Sequence, residues 1–234
     1  MSTASAWSVA LNGIEGAMVE VEVAEGGGLP RTVLVGLPDA ALSQAKERVR
    51  AAVTGAGLPW PNGLVTINLS PANLPKTGTH YDLAIATAAL AAIEKVPVEA
   101  ARNHVCLGEL GLDGRLRRVP GILPAVLAAV RSGFDKVIVP ASQEAEASLV
   151  PGVTVWAVGH LRDLVAVLNG EPPLGGWESP VEEDTNPGQR PPLDFRDVRG
   201  HLTAAGSWRL RPPVGTTCSC TEPPGSGKPC SPRD

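Results

Sequence analysis

The sequence predicts an α+β fold shading into α/β, confined to residues 1–170. Three observations carry that expectation. Apolar runs of strand length alternate with stretches of helical period from Trp7 to Leu168, the pattern of strands packed under helices. The hydrophobic share of 43% against 19% charged residues is that of a chain able to bury a core. Composition then changes near Gly170: the first 170 residues carry 11 Pro and 18 Gly, the last 64 carry 12 and 8. At that density of breakers a packed core is not expected.

Taken in order, residues 7–11 and 17–23 are apolar runs of strand type, and residues 32–35 are a short β-branched run before a Gly-Leu-Pro turn. Asp39 is placed to cap a helix in which Leu42, Ala45, Val49 and Ala52 recur at helical spacing, ending at Gly55 or Gly57. Residues 64–69 (LVTINL) form a strand and residues 81–93 an alanine-rich helix. A strand at 104–107 precedes a hairpin-like GLDGRL turn. Residues 122–131 are helical, 136–139 a buried strand and 142–149 a short helix. A strand at 153–156 and a helix at 161–168 close the unit. The early strands are expected to pair antiparallel and the later ones to form βα units.

The formal net charge is -4, which argues against a strongly basic nucleic-acid-binding domain while leaving room for a local basic patch. No apolar run approaches the ~18 residues of a membrane span. MSTASAWSVALNG lacks the charged and apolar regions of a secretory leader, so the expected compartment is the cytoplasm and no membrane partner is expected. Of four cysteines, Cys106 stands alone and Cys218, Cys220 and Cys230 crowd the end of the chain without a histidine among them. A fourth ligand is missing, so no metal site is expected. Residues 171–187 hold five acidic residues and no basic one, reading as a solvated linker.

Three blocks then identify a family. GLPRTVLVGLPDAALSQAKERVRAAV (28–53), VTINLSPANLPKTGTHYDLAIA (65–86) and GELGLDGRLRRVPGILPAV (108–126) resemble the N-terminal domain of magnesium-chelatase-like AAA+ ATPases of the YifB/ComM type. The resemblance covers about residues 5–200. It implies a ribosomal-S5 domain-2-like fold, similar to the Lon peptidase domain, over residues 1–170. Composition marks an acidic Pro/Gly linker at 171–193, and the resemblance implies a degenerate start of the AAA+ module at 194–234, which is expected to be disordered. Family members are implied to be bacterial, ATP- and Mg²⁺-dependent hexameric motors on DNA, acting in branch migration and recombination linked to competence. A stand-alone interaction or scaffold domain is the alternative.

On the helix from Asp39, Lys46, Glu47, Arg48 and Arg50 form a basic-leaning strip, read first as a solvated face. In SPANLPKTGTHYD, Lys76 beside a glycine and a helix start is a candidate anion holder, with His80 and Tyr81 next to it and Asp82 a candidate cap. A Lon-like peptidase would place a serine after PK-x-G and a lysine in the following block. Here His80, Tyr81 and Asp82 fill the first position and Pro124 the second, so peptidase activity is not expected and no catalytic residue is assigned.

EPPGSGKP (222–229) resembles the Walker A loop, in which glycine amides wrap phosphates, Lys neutralises charge and a hydroxyl holds Mg²⁺. Gly225, Gly227 and Lys228 match, but Glu222 replaces the first Gly and Pro229 replaces the Ser/Thr. The ATP site is expected to be degenerate and ATP absent from this chain's chemistry. Residues 201–234 lack any amphipathic period, and the expectation is a truncated or frame-shifted ATPase segment, testable by translating the encoding DNA in three frames.

Overall fold

The computed structural model describes residues 2–36, 40–74, 76 and 78–175. Two long strands open it, β1 (Ser2–Asn12) and β2 (Glu15–Gly26), paired antiparallel along their whole length, from Ser2↔Glu25 to Asn12↔Glu15. They extend beyond the two apolar runs, and the added residues Ala4, Ser5 and Ala6 of β1 are themselves buried. β3 (Arg31–Val35) follows, then helix α1 (Ala40–Gly55) and β4 (Leu64–Ser70). β3 pairs parallel to β4, and β4 pairs antiparallel to β2.

The remaining elements are α2 (Asp82–Ala92), α3 (Val98–Arg102), β5 (Val105–Cys106), β6 (Glu109–Leu110), β7 (Leu116–Arg117) and α4 (Ile122–Arg131). After them come β8 (Lys136–Pro140), a 3-10 turn (Ala141–Gln143), α5 (Glu144–Ala147), β9 (Thr154–Val158) and α6 (Leu161–Leu168). The large sheet has the order β3-β4-β2-β1-β5-β8-β9, and β6-β7 form a separate hairpin. Its pairings leave β2 antiparallel to both neighbours and the other six strands running one way. The fold is therefore mixed α/β with a mostly parallel central sheet. The expected antiparallel run of early strands is confined to β2, because β3 pairs with β4 across the α1 crossover instead of with β2.

Helices cover both faces. Leu42, Ala45, Val49 and Ala52 of α1 are fully buried, as their spacing predicts, and pack with α2, α3 and α6 on one face. α4 and α5 cover the other, where Val9, Val105, Val137 and Val139 meet Ile122, Val126 and Ala129. Alternate residues serve opposite layers: Val105 faces α4 while Cys106 faces α2, the period-2 geometry of a strand buried on both sides. Every residue of α2 is buried, from Asp82 to Ala92. Its small alanines let neighbouring backbones approach closely, and its interior hydroxyl, Thr87, is satisfied by the Leu83 carbonyl at 2.7 Å.

Close approach also fixes Gly36, at φ 106°, where a Cβ would stand 2.3 Å from the Leu69 carbonyl oxygen. The helices at 122–131 and 161–168 coincide with the expected ones. The expected helix at 142–149 is instead a 3-10 turn plus one four-residue helix. Past Gly170 the chain stays tied to α6, since the Leu174 amide donates to Asp163 at 3.0 Å. No helix among the described residues is long and apolar enough to cross a membrane.

Candidate functional site

The polar chemistry inside the fold gathers where α1, the start of α2 and β6 meet. Arg48 projects from α1 and forms a bidentate ion pair with Asp82, Nε to Oδ2 at 2.6 Å and the second guanidinium nitrogen to Oδ1 at 2.8 Å. The Asp82 side chain is wholly buried and the Arg48 side chain 20% exposed. A third donor, the Leu110 amide of β6, reaches Asp82 Oδ2 at 3.3 Å. Asp82 thus joins three elements. It is not the helix cap expected from its position: Tyr81 is the cap residue and makes no side-chain capping bond. Nor is Arg48 part of a solvated strip, since its neighbours Glu47 and Arg50 are exposed while it turns inward.

Burial raises the Asp82 carboxyl to about 6, against the pull of the Arg48 guanidinium and the Leu110 amide. The carboxylate in turn holds the Arg48 proton more tightly than usual. Beside the pair, Thr79 donates its hydroxyl to Glu109, and the backbone ties the same segment down through Gly108 N–H to the His80 carbonyl at 3.2 Å and Leu83 N–H to the Gly108 carbonyl at 3.2 Å.

Lys76 departs from its expected role. It is fully buried, and its ammonium donates to the Pro71 carbonyl and, at 2.9 Å, to the Leu74 carbonyl. Burial lowers its pKa. The loop therefore uses the lysine as an internal brace of its own turn. His80 and Tyr81, both buried, stack with ring centroids 4.1 Å apart. Cys106 is buried 3.5 Å from the Thr87 hydroxyl, and burial pushes its thiol up to about 12, which leaves it an inert core residue. Among the described residues no group of three or more His, Cys, Asp or Glu is placed to hold a metal ion. Gly225, Gly227 and Lys228, with Cys218, Cys220 and Cys230, lie outside the described residues.

The sequence reading missed the Arg48–Asp82 pair and the Thr79–Glu109 bond. Both join residues 30 or more positions apart, and no local period reports such a contact. The available signal was an arginine one position before the buried Val49 and an aspartate opening an otherwise apolar helix.

A mixed, mostly parallel sheet braced by this polar junction is the frame in which the chain's likeness to known proteins stands. The family description "Subunit ChlI of Mg-chelatase" matches residues 19–143. The chain belongs to this magnesium-chelatase-like family, of the YifB/ComM type.

It is 46% identical over 228 residues to an uncharacterized protein of Mycobacterium tuberculosis, covering 97% of this chain and 44% of the relative. It is 36% identical over 230 residues to the competence protein ComM of Haemophilus influenzae, covering 97% of this chain and 45% of that protein. Lon protease 2 of Bacillus subtilis is 30% identical over 105 residues, 44% of this chain and 18% of the protease. The chain spans about half the length of the first two relatives. A match over 97% of the chain also reaches past Gly200, so the similarity extends further than the expected limit there.

Proposed function

We propose that the chain provides the amino-terminal, non-catalytic domain of a magnesium-chelatase-like AAA+ ATPase that acts on DNA during recombination linked to competence. Its fold in this reading is of the ribosomal-S5 domain-2 and Lon-peptidase type. One observation carries the non-catalytic assignment. Where the resemblance places the serine and the lysine of a Lon-like peptidase, this chain has His80, Tyr81 and Asp82 for the first and Pro124 for the second, and His80 is stacked on Tyr81. The similarity to a protein named for competence supports the biological setting.

ATP, Mg²⁺ and hexamer formation belong in this reading to the motor module of the whole protein. The residues of this chain do not fit Mg-ATP: Pro229 stands where a hydroxyl would hold the metal, and Glu222 brings a carboxylate to the phosphates. The competing reading is a stand-alone interaction or scaffold domain. Gel shift with branched DNA separates the two. Retardation that weakens with added salt, as phosphate contacts require, is the expected result. Unshifted branched DNA at tens of micromolar protein would favour the scaffold.

A further inference from the structure

Helix α6 opens with a histidine where Ser, Thr, Asp or Asn is usual. His160 precedes Leu161 with an extended backbone, φ -148° and ψ 156°, and its ring accepts the Arg162 amide at Nδ1, 3.1 Å away. A ring nitrogen accepts only while it carries no proton, so this bond selects the tautomer with its proton on Nε2. Nε2–H then donates to the Asp113 carbonyl at 3.0 Å, in the turn between β6 and β7. One ring thus caps a helix and holds the tip of a hairpin. Backbone bonds surround it: Leu161 N–H to the Gly114 carbonyl and Leu116 N–H to the Gly159 carbonyl, both 2.9 Å. The fit is close, because a Cβ on Gly114 would lie 2.8 Å from the Ala56 Cβ and 3.1 Å from the ring.

We propose that His160 is a protonation-sensitive clasp between the β6–β7 hairpin and the start of α6, closed when the ring is neutral and opened by a second ring proton. That proton, taken from water, forms an N–H bond at Nδ1. It points at the Arg162 N–H, donor against donor, so the cap is lost and a charge is left in a site 3% exposed. From α6, the Arg162 guanidinium, held at 2.7 Å by the Ala56 carbonyl, opposes the second proton and Asp163 favours it. From the hairpin, Asp113 favours it, itself shared with Arg115 at 3.3 Å. The end of α1 contributes Ala56 and no charge.

Burial is the largest of these influences and sets the ring below its ordinary 6.5. The stabilisation is therefore complete above 6.5 and is lost as the pH falls through the folded-state value. The hairpin also carries Glu109 and Leu110, so opening the clasp loosens the support of Asp82.

The test is made on the full chain. Long-range ¹H–¹⁵N correlation reads the tautomer and midpoint of His160. Hydrogen exchange reads protection at the Arg162, Leu161 and Leu116 amides from about pH 7.5 down to about pH 5. A neutral Nε2–H ring is expected, titrating below 6.5. In step with it, protection at those three amides should fall about tenfold while the β2–β4 ladder keeps its protection. His160→Asn, whose amide oxygen accepts without titrating, should show flat protection over the same range. His104→Gln, which removes another histidine held low by burial, should leave the fall intact. An Nδ1–H ring, a midpoint at or above 6.5, or an equal fall in His160→Asn overturns the proposal. If His160→Asn does not fold, the tautomer and the shared midpoint in the unaltered chain decide it.

Discussion

Arg48→Met removes the guanidinium while keeping most of its stem, and so leaves Asp82 as a wholly buried carboxylate that keeps the Leu110 amide as a donor. Breaking a buried pair from one side costs about 3–5 kcal/mol. An independent ceiling comes from protonation. A carboxyl of ordinary value 3.8 can be kept neutral at pH 7 for about 4 kcal/mol, from about 1.4 kcal/mol per pH unit, so the charge penalty cannot greatly exceed that. The 20% exposure of Arg48 lets some water in and places the expected loss near 3 kcal/mol.

The sign with pH is distinctive. Asp82 already sits at about 6, above its unfolded value. Its protonation therefore favours the fold, fully below 3.8 and decreasingly as the pH rises through about 6. Loss of Arg48 removes two influences that lower this value and moves the midpoint higher. Urea unfolding of Arg48→Met should accordingly show a deficit that shrinks between about pH 7 and about pH 5. The double variant Arg48→Met/Asp82→Leu should recover at least half of it. A single-variant loss below about 1 kcal/mol, the scale of an exposed pair, or a double variant no better than the single, would refute the clamp.

The intact chain should give no turnover of a fluorogenic peptide, and activity that Lys76→Ala abolishes would contradict the brace assigned to that lysine. Titration calorimetry with Mg-ATP should record no binding; a micromolar affinity removed by Lys228→Ala would mean that the Walker-like loop works despite Glu222 and Pro229. Ser8, fully buried in β1, leaves its hydroxyl without a hydrogen-bond partner among the described residues. Ser8→Ala should therefore raise stability by about 1 kcal/mol, and a loss measured by urea unfolding would point instead to a satisfied hydroxyl.

Helices at 122–131 and 161–168 were legible because glycines bound an apolar stripe of ordinary helical period: Gly121 and Gly133 around the first, Gly159 and Gly170 around the second. α3 escaped notice because VEAAR after Pro97 is too short to show a period. The family blocks identify the domain type, but the junction at its centre was misread residue by residue. Arg48 stands in a run of charged residues, Asp82 stands where caps stand, and Lys76 lies close to a glycine as anion binders do. Each was assigned by its sequence neighbours, whereas its partner came from another element or from the fold-back of a loop. His160 was equally silent: histidine before a helix carries little signal until the Arg162 amide is seen pointing at its ring.

The sheet order has a consequence for how the domain assembles. Strands β3, β4, β2 and β1 come from residues 2–70, whereas β5, β8 and β9 come from residues 105–158. Within the sheet ladder of the described residues these two groups meet at the pair Trp7↔Val105. The seam is thus narrow in backbone bonds and closes a loop of nearly the whole first half of the chain, the kind of non-local contact that forms slowly. During synthesis, the first group can pair while the second is still being made, with the far edge of β1 waiting for β5. Until residues 122–131 follow as α4, the sheet face that carries Trp7 and Val9 also stays uncovered. This edge is where a half-made chain is most exposed to pairing with another copy of itself.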